Sequence, residues 1–569
     1  MPENFYVEKD GKTYVYNSTS VYDASTKKKR TVTTYIGRVD PETGKIISKK
    51  ERRPNEEFID PDLMRAARFG GSYALLGLSE AIGLRDDLFS SFNSDGEKVL
   101  ASAVAQVLAG GPFSSAEDAM DGSMIRELMG ISGRFTSPRM SEFTKRMGES
   151  FGNIETLFER RVMRTKDALG YDITSVSTNS SMSGWGEWGL NRDGEKMKQV
   201  NIGLVTDKKG IPAMFEIYPG SVSDVKTLER TVERVRSYGA GSCTMVLDRG
   251  FGSAVNLKYM IDNGMSFVIP GKRATKCVRS LMSALIKAKG DPDIIRIHDG
   301  AVYSVIETDA AIVPRKKKDP DADMESNDTQ ELELVMSDDK RFSTVPAERR
   351  MKAFACFNEK NGADENTKLQ TALSGIEAKF REMDPWDAVR EQKRIAGGYS
   401  KYVECRVEGG ELKIERKRNS LSFAMNRSGM FVMFSFGVSS WDDMMSCYDC
   451  RTYVEQAFDV LKNELDGNRM RTFDPVSAKG RLLIKFVALI LWCNVAAILR
   501  PEKKRLTVRE VIQSLDNIMA VGRGNVWRLT EVTKKNREAL TLLGLEGPEK
   551  RYDLKEYDRV PKAILYGSG

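Results

Sequence analysis

The chain has 569 residues, with 88 Lys and Arg, 81 Asp and Glu, and a single histidine. This length predicts several domains and a sizeable buried core. The lone histidine, His298, excludes zinc sites that need two histidines and leaves any serine hydrolase triad dependent on one residue. Catalysis is therefore expected to use carboxylates, whose metal partners are hard cations such as Mg²⁺ or Mn²⁺.

The net charge of +7 is compatible with nucleic-acid binding but does not require it. Seven cysteines are an odd number, and they indicate a reducing compartment rather than a disulfide framework. The first ten residues are polar and charged, unlike a signal peptide. The most apolar stretch, residues 486–499, is too short to span a membrane and is predicted to be a buried helix. These features favour a soluble, cytoplasmic protein without a membrane partner.

The first 165 residues change from strand-like to helical periodicity. Alternating apolar and polar residues over 12–48 predict a twisted hairpin with a basic turn near Lys27. Residues 60–165 have helical spacing interrupted by glycine and proline. Ser137 is predicted to cap a basic helix that carries Arg139, Lys145 and Arg146. This helix either enters a DNA groove or presents a solvated face.

From residue 171 the pattern predicts a sheet. Strands are expected at 172–177, 199–205, 211–218, 244–247 and 266–270, with helices at 224–238 and 253–263. Three consecutive strands followed by alternating helices and strands are the order of a ribonuclease-H-like fold, a mixed α/β sheet with helices on its faces.

After residue 270 this regularity is lost. An acidic tract between 319 and 339 favours a mobile loop over about 315–345. A charged helix is expected near 365–382, with strands at 402–407, 412–416 and 430–435. The predicted domains are an N-terminal β-hairpin region (1–58), a helical DNA-binding region (59–165), a ribonuclease-H-like catalytic core (166–270 and 441–500), an insertion domain (271–440) and a C-terminal helical region (501–569).

Two carboxylates mark the ends of predicted strands. Asp172 lies at the start of the first strand and Asp248 directly follows the fourth. In a sheet of this order these strands are neighbours, so the carboxylates are expected to meet at one edge. Two close carboxylates repel each other unless cations neutralise them, which a pair of divalent ions would do. The alternative is that each aspartate caps the element that follows it.

A later helix adds a third carboxylate. At 100° per residue, Tyr448, Arg451 and Lys462 all project within about 40° of the Glu455 direction. The adjacent apolar face is predicted to pack on the sheet and carries Val454, Phe458, Leu461 and Leu465. Either Glu455 binds metal between groups that hold phosphate, or the face is a solvated surface with ion pairs.

The spacing Y-x2-R-x3-E-x6-K from Tyr448 to Lys462 resembles the signature of one large branch of bacterial and archaeal insertion-sequence DDE transposases. Four other parts of the chain are similar to that branch or to its long-chain subgroup with an N-terminal hairpin. They are residues 171–175 (YDITS), 218–224 (YPGSVSD, with Ser221 where Asn is common), 248–251 (DRGF) and 35–44 (YIGRVDPETG). The tail from 507 to 545 also resembles the end of that subgroup.

The resemblance implies a DDE triad of Asp172, Asp248 and Glu455 that binds two Mg²⁺ or Mn²⁺ ions. It assigns DNA binding to Tyr448, Arg451 and Lys462, where arginine suits bidentate phosphate contacts. In several relatives the excised DNA end forms a hairpin and an aromatic residue stacks on a flipped base. Trp386 and Trp441 are the candidates here, and core packing or plain surface exposure is the alternative for each. Asp459, one turn after Glu455, is interpreted as structural.

The expected function is cut-and-paste transposition in a prokaryotic cytoplasm, at the nucleoid. The enzyme would bind the terminal inverted repeats of an insertion sequence, cleave the DNA with metal ions and join it to target DNA. The partners implied are double-stranded transposon ends and target DNA, with a homodimer in the end complex. The alternatives are a non-catalytic DNA-binding protein derived from a transposase, and a ribonuclease-H-like nuclease without strand transfer.

Overall fold

The computed structural model describes residues 3–23, 28–41, 44, 46–48, 64–133, 135–165, 168–179, 185–188, 197–222, 224–315, 332–501 and 506–554. The chain divides into two compact units. The smaller unit contains Met1–Ala66 and Val521–Arg528, and the larger contains Ala67–Ala520 and Leu529–Gly569. The sequence predicts five domains, whereas the chain divides into only two compact units.

The smaller unit is built on a four-stranded antiparallel sheet. Its strands, in spatial and sequence order, are β1 (Glu3–Lys9), β2 (Lys12–Asp23), β3 (Lys28–Val39) and β4 (Ile46–Ser48). The predicted hairpin corresponds to β2 and β3, and β1 and β4 extend it on either side. The rings of Tyr16 and Tyr35 lie 5.3 Å apart across the central pair, a cross-strand contact that stabilises such sheets. The turn near Lys27 falls on residues 24–27, outside the described residues.

One short strand and a group of helices follow in the chain. They are β5 (Arg65–Arg68), α1 (Gly70–Ala81), α2 (Leu84–Phe92), α3 (Ser94–Ala109), α4 (Ser115–Asp121), α5 (Ile125–Met129), α6 (Ser137–Glu149) and α7 (Phe151–Met163). The predicted cap at Ser137 is corrected by one residue. Thr136 is the N-cap of α6, without a side-chain capping hydrogen bond, and Ser137 is the first helical residue, followed by a proline.

A mixed sheet forms the centre of the larger unit. Its first strands and flanking helices are β6 (Ala168–Thr178), β7 (Lys198–Thr206), β8 (Pro212–Pro219), α8 (Asp224–Ser237), β9 (Thr244–Leu247), α9 (Ala254–Asp262), β10 (Phe267–Pro270) and α10 (Lys276–Ala288). β6, β7 and β8 form an antiparallel meander, and β9 pairs in parallel with both β6 and β10.

The stretch predicted as an insertion continues this sheet. The strands β11 (Ile295–His298), β12 (Ala301–Pro314), β13 (Leu332–Met336), β14 (Met351–Asn358) and β17 (Met430–Phe436) belong to it, in the order β11-β12-β14-β17-β10. The predicted mobile loop is corrected in part, because β13 and ordered turns occupy residues 332–345. Residues 316–331 of that loop lie outside the described residues.

A small module follows β14 and packs around its own apolar cluster. It contains α11 (Glu359–Arg381), α12 (Pro385–Ala396), the hairpin of β15 (Val403–Glu408) and β16 (Glu411–Arg416), and α13 (Arg418–Met425). The buried side chains of Leu373, Phe380, Ala388 and Val403 join the helices to the hairpin. Only the residues between β14 and β17 therefore form an insertion that lies outside the central sheet.

The remaining elements are α14 (Trp441–Tyr448), α15 (Cys450–Asp459), β18 (Arg469–Met470), α16 (Pro475–Leu499), α17 (Val508–Asp516), β19 (Met519–Arg523), β20 (Val526–Leu529), α18 (Lys534–Leu542) and β21 (Arg551–Asp553). The predicted helical tail is corrected in part, because it contains three short strands beside α17 and α18. Among the described helices, α16 alone is long and apolar enough to cross a membrane by composition, yet 83% of its most apolar window is buried in the fold.

Candidate active site

The pairing of β6 with β9 brings Asp172 and Asp248 together at one edge of the sheet. Tyr171 is in register with Leu247 in this parallel pair. Asp172 and Asp248 are the residues that follow these two, and both side chains are partly buried. Oδ1 of Asp172 also accepts a hydrogen bond from the N–H of Ile173 at 2.7 Å. The strand register therefore fixes the two backbones that carry the carboxylates.

Asp248 has an incompletely satisfied carboxylate. It lies between β9 and a 3₁₀ turn at Arg249–Phe251. Its side chain is 30% exposed, and its Oδ1 lies 3.1 Å from Nη2 of Arg451. The same oxygen is buried and accepts no hydrogen bond of acceptable geometry from the described residues. A buried carboxylate oxygen in this condition is a suitable ligand for a cation.

The residues of the Y-x2-R-x3-E-x6-K pattern do not share one uninterrupted helix. Tyr448 is the last residue of α14, Asp449 separates the two helices, and Arg451 and Glu455 lie on α15. Lys462 lies beyond them in a π turn at Val460–Glu464, which shifts the helical phase assumed from the sequence. The predicted apolar face is confirmed, since Val454, Phe458, Leu461 and Leu465 are all buried.

Arg451 links the carboxylates on the two elements. Its Nη2 lies 2.7 Å from Oε1 of Glu455 and 3.1 Å from Oδ1 of Asp248. Its Nη1 donates a hydrogen bond of 3.1 Å to the hydroxyl of Tyr448. Because one nitrogen contacts both carboxylates, Oδ1 of Asp248 and Oε1 of Glu455 can be no farther apart than the sum of these two distances. The guanidinium supplies the positive charge that close carboxylates require.

Burial and charge act in opposite directions on this cluster. Burial lowers the pKa of the Arg451 guanidinium, but Tyr448, Asp248 and Glu455 outweigh it and raise that pKa above its ordinary value. Burial also raises the pKa of the Tyr448 phenol, so this hydroxyl stays protonated and neutral at physiological pH. Glu455 is 52% exposed, more than Asp248, so its position depends on α15 and on Arg451.

The donor set of the cluster suits a hard divalent cation, whose preferred ligands are carboxylate oxygens. The buried Oδ1 of Asp248 is the observation that supports this fit. Among the described residues, however, no three His, Cys, Asp or Glu side chains are gathered closely enough to hold a metal ion. Arg451 is the counter-charge that contacts both Asp248 and Glu455.

The two tryptophan candidates for base stacking lie in different environments. Trp441 begins α14, is 5% exposed, and packs against Tyr303 and His298. It is a core residue, which corrects its place among the stacking candidates. Trp386 is 68% exposed, near the start of α12. The sequence interpretation missed the contact of His298 Nε2 with Asp449 Oδ2 at 3.0 Å, next to Tyr448, because only the tertiary fold brings the two together.

Comparison with known families identifies the family to which the chain belongs. Residues 163–491 match the family model described as a transposase DDE domain, and this region is more than half of the 569-residue chain. The chain belongs to the DDE transposase domain family, which implies transposition and DNA binding. No curated protein matches it in sequence. The match spans Asp172, Asp248 and Glu455 together with the strands between them.

Proposed function

We propose that this protein is a transposase that binds the terminal inverted repeats of an insertion sequence, cleaves the DNA and joins it to a target. Asp172, Asp248 and Glu455 are the catalytic carboxylates on a ribonuclease-H-like core. The observation that carries this proposal is the convergence of β6, β9 and α15. The Tyr171–Leu247 register juxtaposes the two aspartates, and one arginine nitrogen contacts both Asp248 and Glu455.

The proposal includes two Mg²⁺ or Mn²⁺ ions held by the three carboxylates. Bound there, the ions would neutralise the carboxylates and stabilise the attacking and leaving oxygens of an in-line displacement at phosphorus. Carboxylates suffice to hold such cations, so a chain with one histidine lacks nothing that this chemistry needs. Asp248 would contribute the buried Oδ1 that accepts no hydrogen bond of its own.

Two displacements account for transposition at one site. Water attacks a phosphorus at the element end, and the bond to the 3′ oxygen breaks to leave a 3′-hydroxyl. That hydroxyl then attacks a target phosphorus and displaces the 3′ oxygen of the target strand. Neither step forms a bond to the protein, so the residues here orient and hold the reacting groups.

Tyr448, Arg451 and Lys462 are proposed to hold DNA phosphates beside the carboxylates. The guanidinium of Arg451 already lies at the centre of the cluster and presents the planar fork that fits a phosphate. We propose further that residues 59–165 bind DNA, that a homodimer pairs two ends, and that exposed Trp386 stacks on a base. The exposed indole of Trp386 supports the last assignment.

The decisive experiment measures nicking of duplex DNA that carries the inverted repeats, with and without Mg²⁺. Asp172→Asn, Asp248→Asn and Glu455→Gln are each expected to reduce nicking by at least about 10³-fold and to leave end binding intact. Asp459→Asn is the matched control, because Asp459 ends the same helix but is hydrogen-bonded to Asn463 at 2.6 Å. It is expected to retain activity within about twofold.

A joining assay with pre-cut 3′ ends separates the alternatives. Nicking without joining would identify a nuclease of the same fold, and end binding without any nicking would identify a non-catalytic DNA-binding protein. Retained cleavage in all three carboxylate variants would refute the assignment of the triad.

A further inference from the structure

A cavity of about 270 Å³ lies beside α16 in the larger unit, apart from the carboxylate cluster. None of Asp172, Asp248 and Glu455 lines it. Its walls come from the α3–α4 region, α6, the loop before β18, and the first half of α16. The apolar part of its lining includes Phe113, Met120, Met140, Leu461 and Leu482.

Two cations project into this apolar setting from one face of α16. Lys485 and Arg481 are four residues apart, both line the cavity, and Lys485 is only 9% exposed. The Nζ of Lys485 donates to the backbone carbonyl of Asp466 at 2.5 Å, which leaves two further N–H donors. Arg481 donates through Nη1 to the backbone carbonyl of Arg471 at 3.1 Å. Its Nε is buried and has no hydrogen-bond partner among the described residues.

Within the described part of the chain, no carboxylate forms an ion pair with either cation. Asp466 forms an ion pair with Arg471 at 3.2 Å, and its charge also acts on Lys485. The carboxylate of Asp474 acts in the same way on Arg481. Arg469, Arg471 and Glu117 also line the cavity, so four cationic side chains face two carboxylates there. Lys485 is buried beside the half-buried Arg481, and like charges placed close together in a protein interior are unfavourable unless opposite charge balances them. Burial lowers the pKa of Lys485 to about 8, because it outweighs the opposing effect of the Asp466 carboxylate, and Arg471 and Arg481 add a smaller lowering.

We propose that this cavity is an anion site that binds the phosphate group of a nucleotide, with Lys485 and Arg481 as its ligands. An arginine fork and a lysine ammonium together supply directional and point-charge contacts to phosphate oxygens. The apolar walls fit the sugar or base attached to that phosphate. The nucleotide belongs either to a nucleic-acid strand or to a free small molecule, and both sources share this chemistry.

The site adjoins the strand of the first catalytic aspartate without depending on it. β18 carries two of the lining residues, Arg469 and Met470, and pairs in parallel with β6 at Ser177 and Thr178. The proposal goes beyond transposition, and binding rather than cleavage is its readout. Failure of the anion-site proposal would therefore leave the carboxylate assignment intact. Failure of the carboxylate assignment would likewise leave the anion-site proposal intact.

The test is calorimetric titration of the full chain with inorganic phosphate and with a deoxynucleoside 5′-monophosphate. Lys485→Met and Arg481→Met should each weaken binding at least tenfold, or about 1.4 kcal/mol. Lys479→Met is the matched control: this lysine is on the same helix but stacks on Phe151, 4.1 Å from the ring centroid, and should leave binding unchanged. Lys485→Met should melt at the same or a higher temperature without ligand, because burial of this charge costs more than its interaction with Asp466 returns.

The pH dependence provides a second readout. Binding needs the protonated ammonium, so affinity should fall as pH rises above the Lys485 pKa of about 8. The other charged groups that face the cavity are Asp466, Glu117 and the arginines at 469, 471 and 481. The decline should therefore disappear in Lys485→Met.

Measurements of DNA binding by the same variants distinguish a strand phosphate from the phosphate of a free nucleotide. A strand phosphate predicts that Lys485→Met weakens DNA binding and reduces its salt slope by about 1. A free nucleotide predicts unchanged DNA binding, and either result supports the site if phosphate binding is lost. Absence of saturable phosphate binding by the wild type up to about 10 mM, or undiminished binding in both variants, would overturn the proposal.

Discussion

Gly170 controls how closely the helix of Glu455 approaches the strand of Asp172. It lies on β6, two residues before Asp172, where α15 packs on that strand. A Cβ at this position would lie 2.5 Å from Cγ2 of Val454 and 3.0 Å from Oγ1 of Thr206, whereas ordinary contacts begin at 3.4 Å. Gly170→Ala therefore forces α15 and β6 apart by about 1 Å in a closely packed interior.

The valine has little freedom to avoid this contact. A β-branched side chain in a helix has one strongly preferred rotamer, so the helix backbone must move instead. Overpacking of this kind costs about 1–3 kcal/mol in stability. A misplacement of about 1 Å between catalytic groups reduces rates by about 10²-fold. Gly170→Ala is thus expected to fold with a lower melting temperature and to nick end-bearing DNA about 10- to 100-fold more slowly.

The double variant Gly170→Ala with Val454→Ala supplies the matched rescue. Val454→Ala alone loses about 1.6 kcal/mol from two buried methyl groups, but it also removes the atom that the new Cβ meets. The double variant should recover at least tenfold in nicking over Gly170→Ala, with a coupling energy of about 0.5–3 kcal/mol. Gly375→Ala is the control, since nothing lies within 4 Å of that Cβ position in α11, and it should gain about 0.5–1 kcal/mol.

The positioning role of Gly170 is refuted if Gly170→Ala nicks DNA at the wild-type rate while Asp172→Asn and Glu455→Gln are inactive. It is also refuted if the double variant is no faster than Gly170→Ala. Nicking rates at saturating Mg²⁺ and melting curves on the same preparations provide both measurements.

Two further predictions concern stability. Trp441→Ala should cost about 3–5 kcal/mol in stability because the side chain is buried. Trp386→Ala should change stability by less than about 0.5 kcal/mol but weaken binding to DNA with an unpaired base. Equal melting temperatures for the two variants would contradict the assignment of Trp441 to the core and Trp386 to the surface. Burial raises the pKa of Asp516 from 3.8 to about 6. Protonated Asp516 therefore adds to the folding stability below about pH 4, and this contribution is lost as the pH rises through 6. Asp516→Asn should therefore gain up to about 3 kcal/mol at pH 7 relative to pH 4, and parallel melting curves from pH 4 to 8 would refute it.

The sequence predicts the local part of the fold well because alternation and helical spacing are local signals. The strands β6 to β10 and the helices α8 and α9 lie within a few residues of the predicted ranges. The placement of β17 beside β10 was not predicted. About 160 residues separate these strands, and their pairing depends on the packing of everything between them.

The candidate site also has one part that the sequence predicts and another that depends on the tertiary fold. The juxtaposition of Asp172 and Asp248 follows from strand order, which sequence patterns indicate. The bridging role of Arg451 does not, because a guanidinium on a helix face reaches Asp248 only after α15 has packed on the sheet. The anion cavity was also missed, since Lys485 and Arg481 resemble the ordinary flank of an apolar helix until the fold places both in the cavity wall.

The three carboxylates are not fixed equally, and this decides which perturbation is most informative. Asp172 and Asp248 are fixed by a backbone register that a side-chain substitution does not alter. Glu455 is half exposed and is positioned by α15, through Val454 against Gly170 and through Arg451 against Asp248. Removal of any one carboxylate would abolish activity whether or not the three act as a unit. A displaced but intact Glu455 reduces activity only if its distance from the aspartates matters, so the Gly170 variant tests the geometry itself.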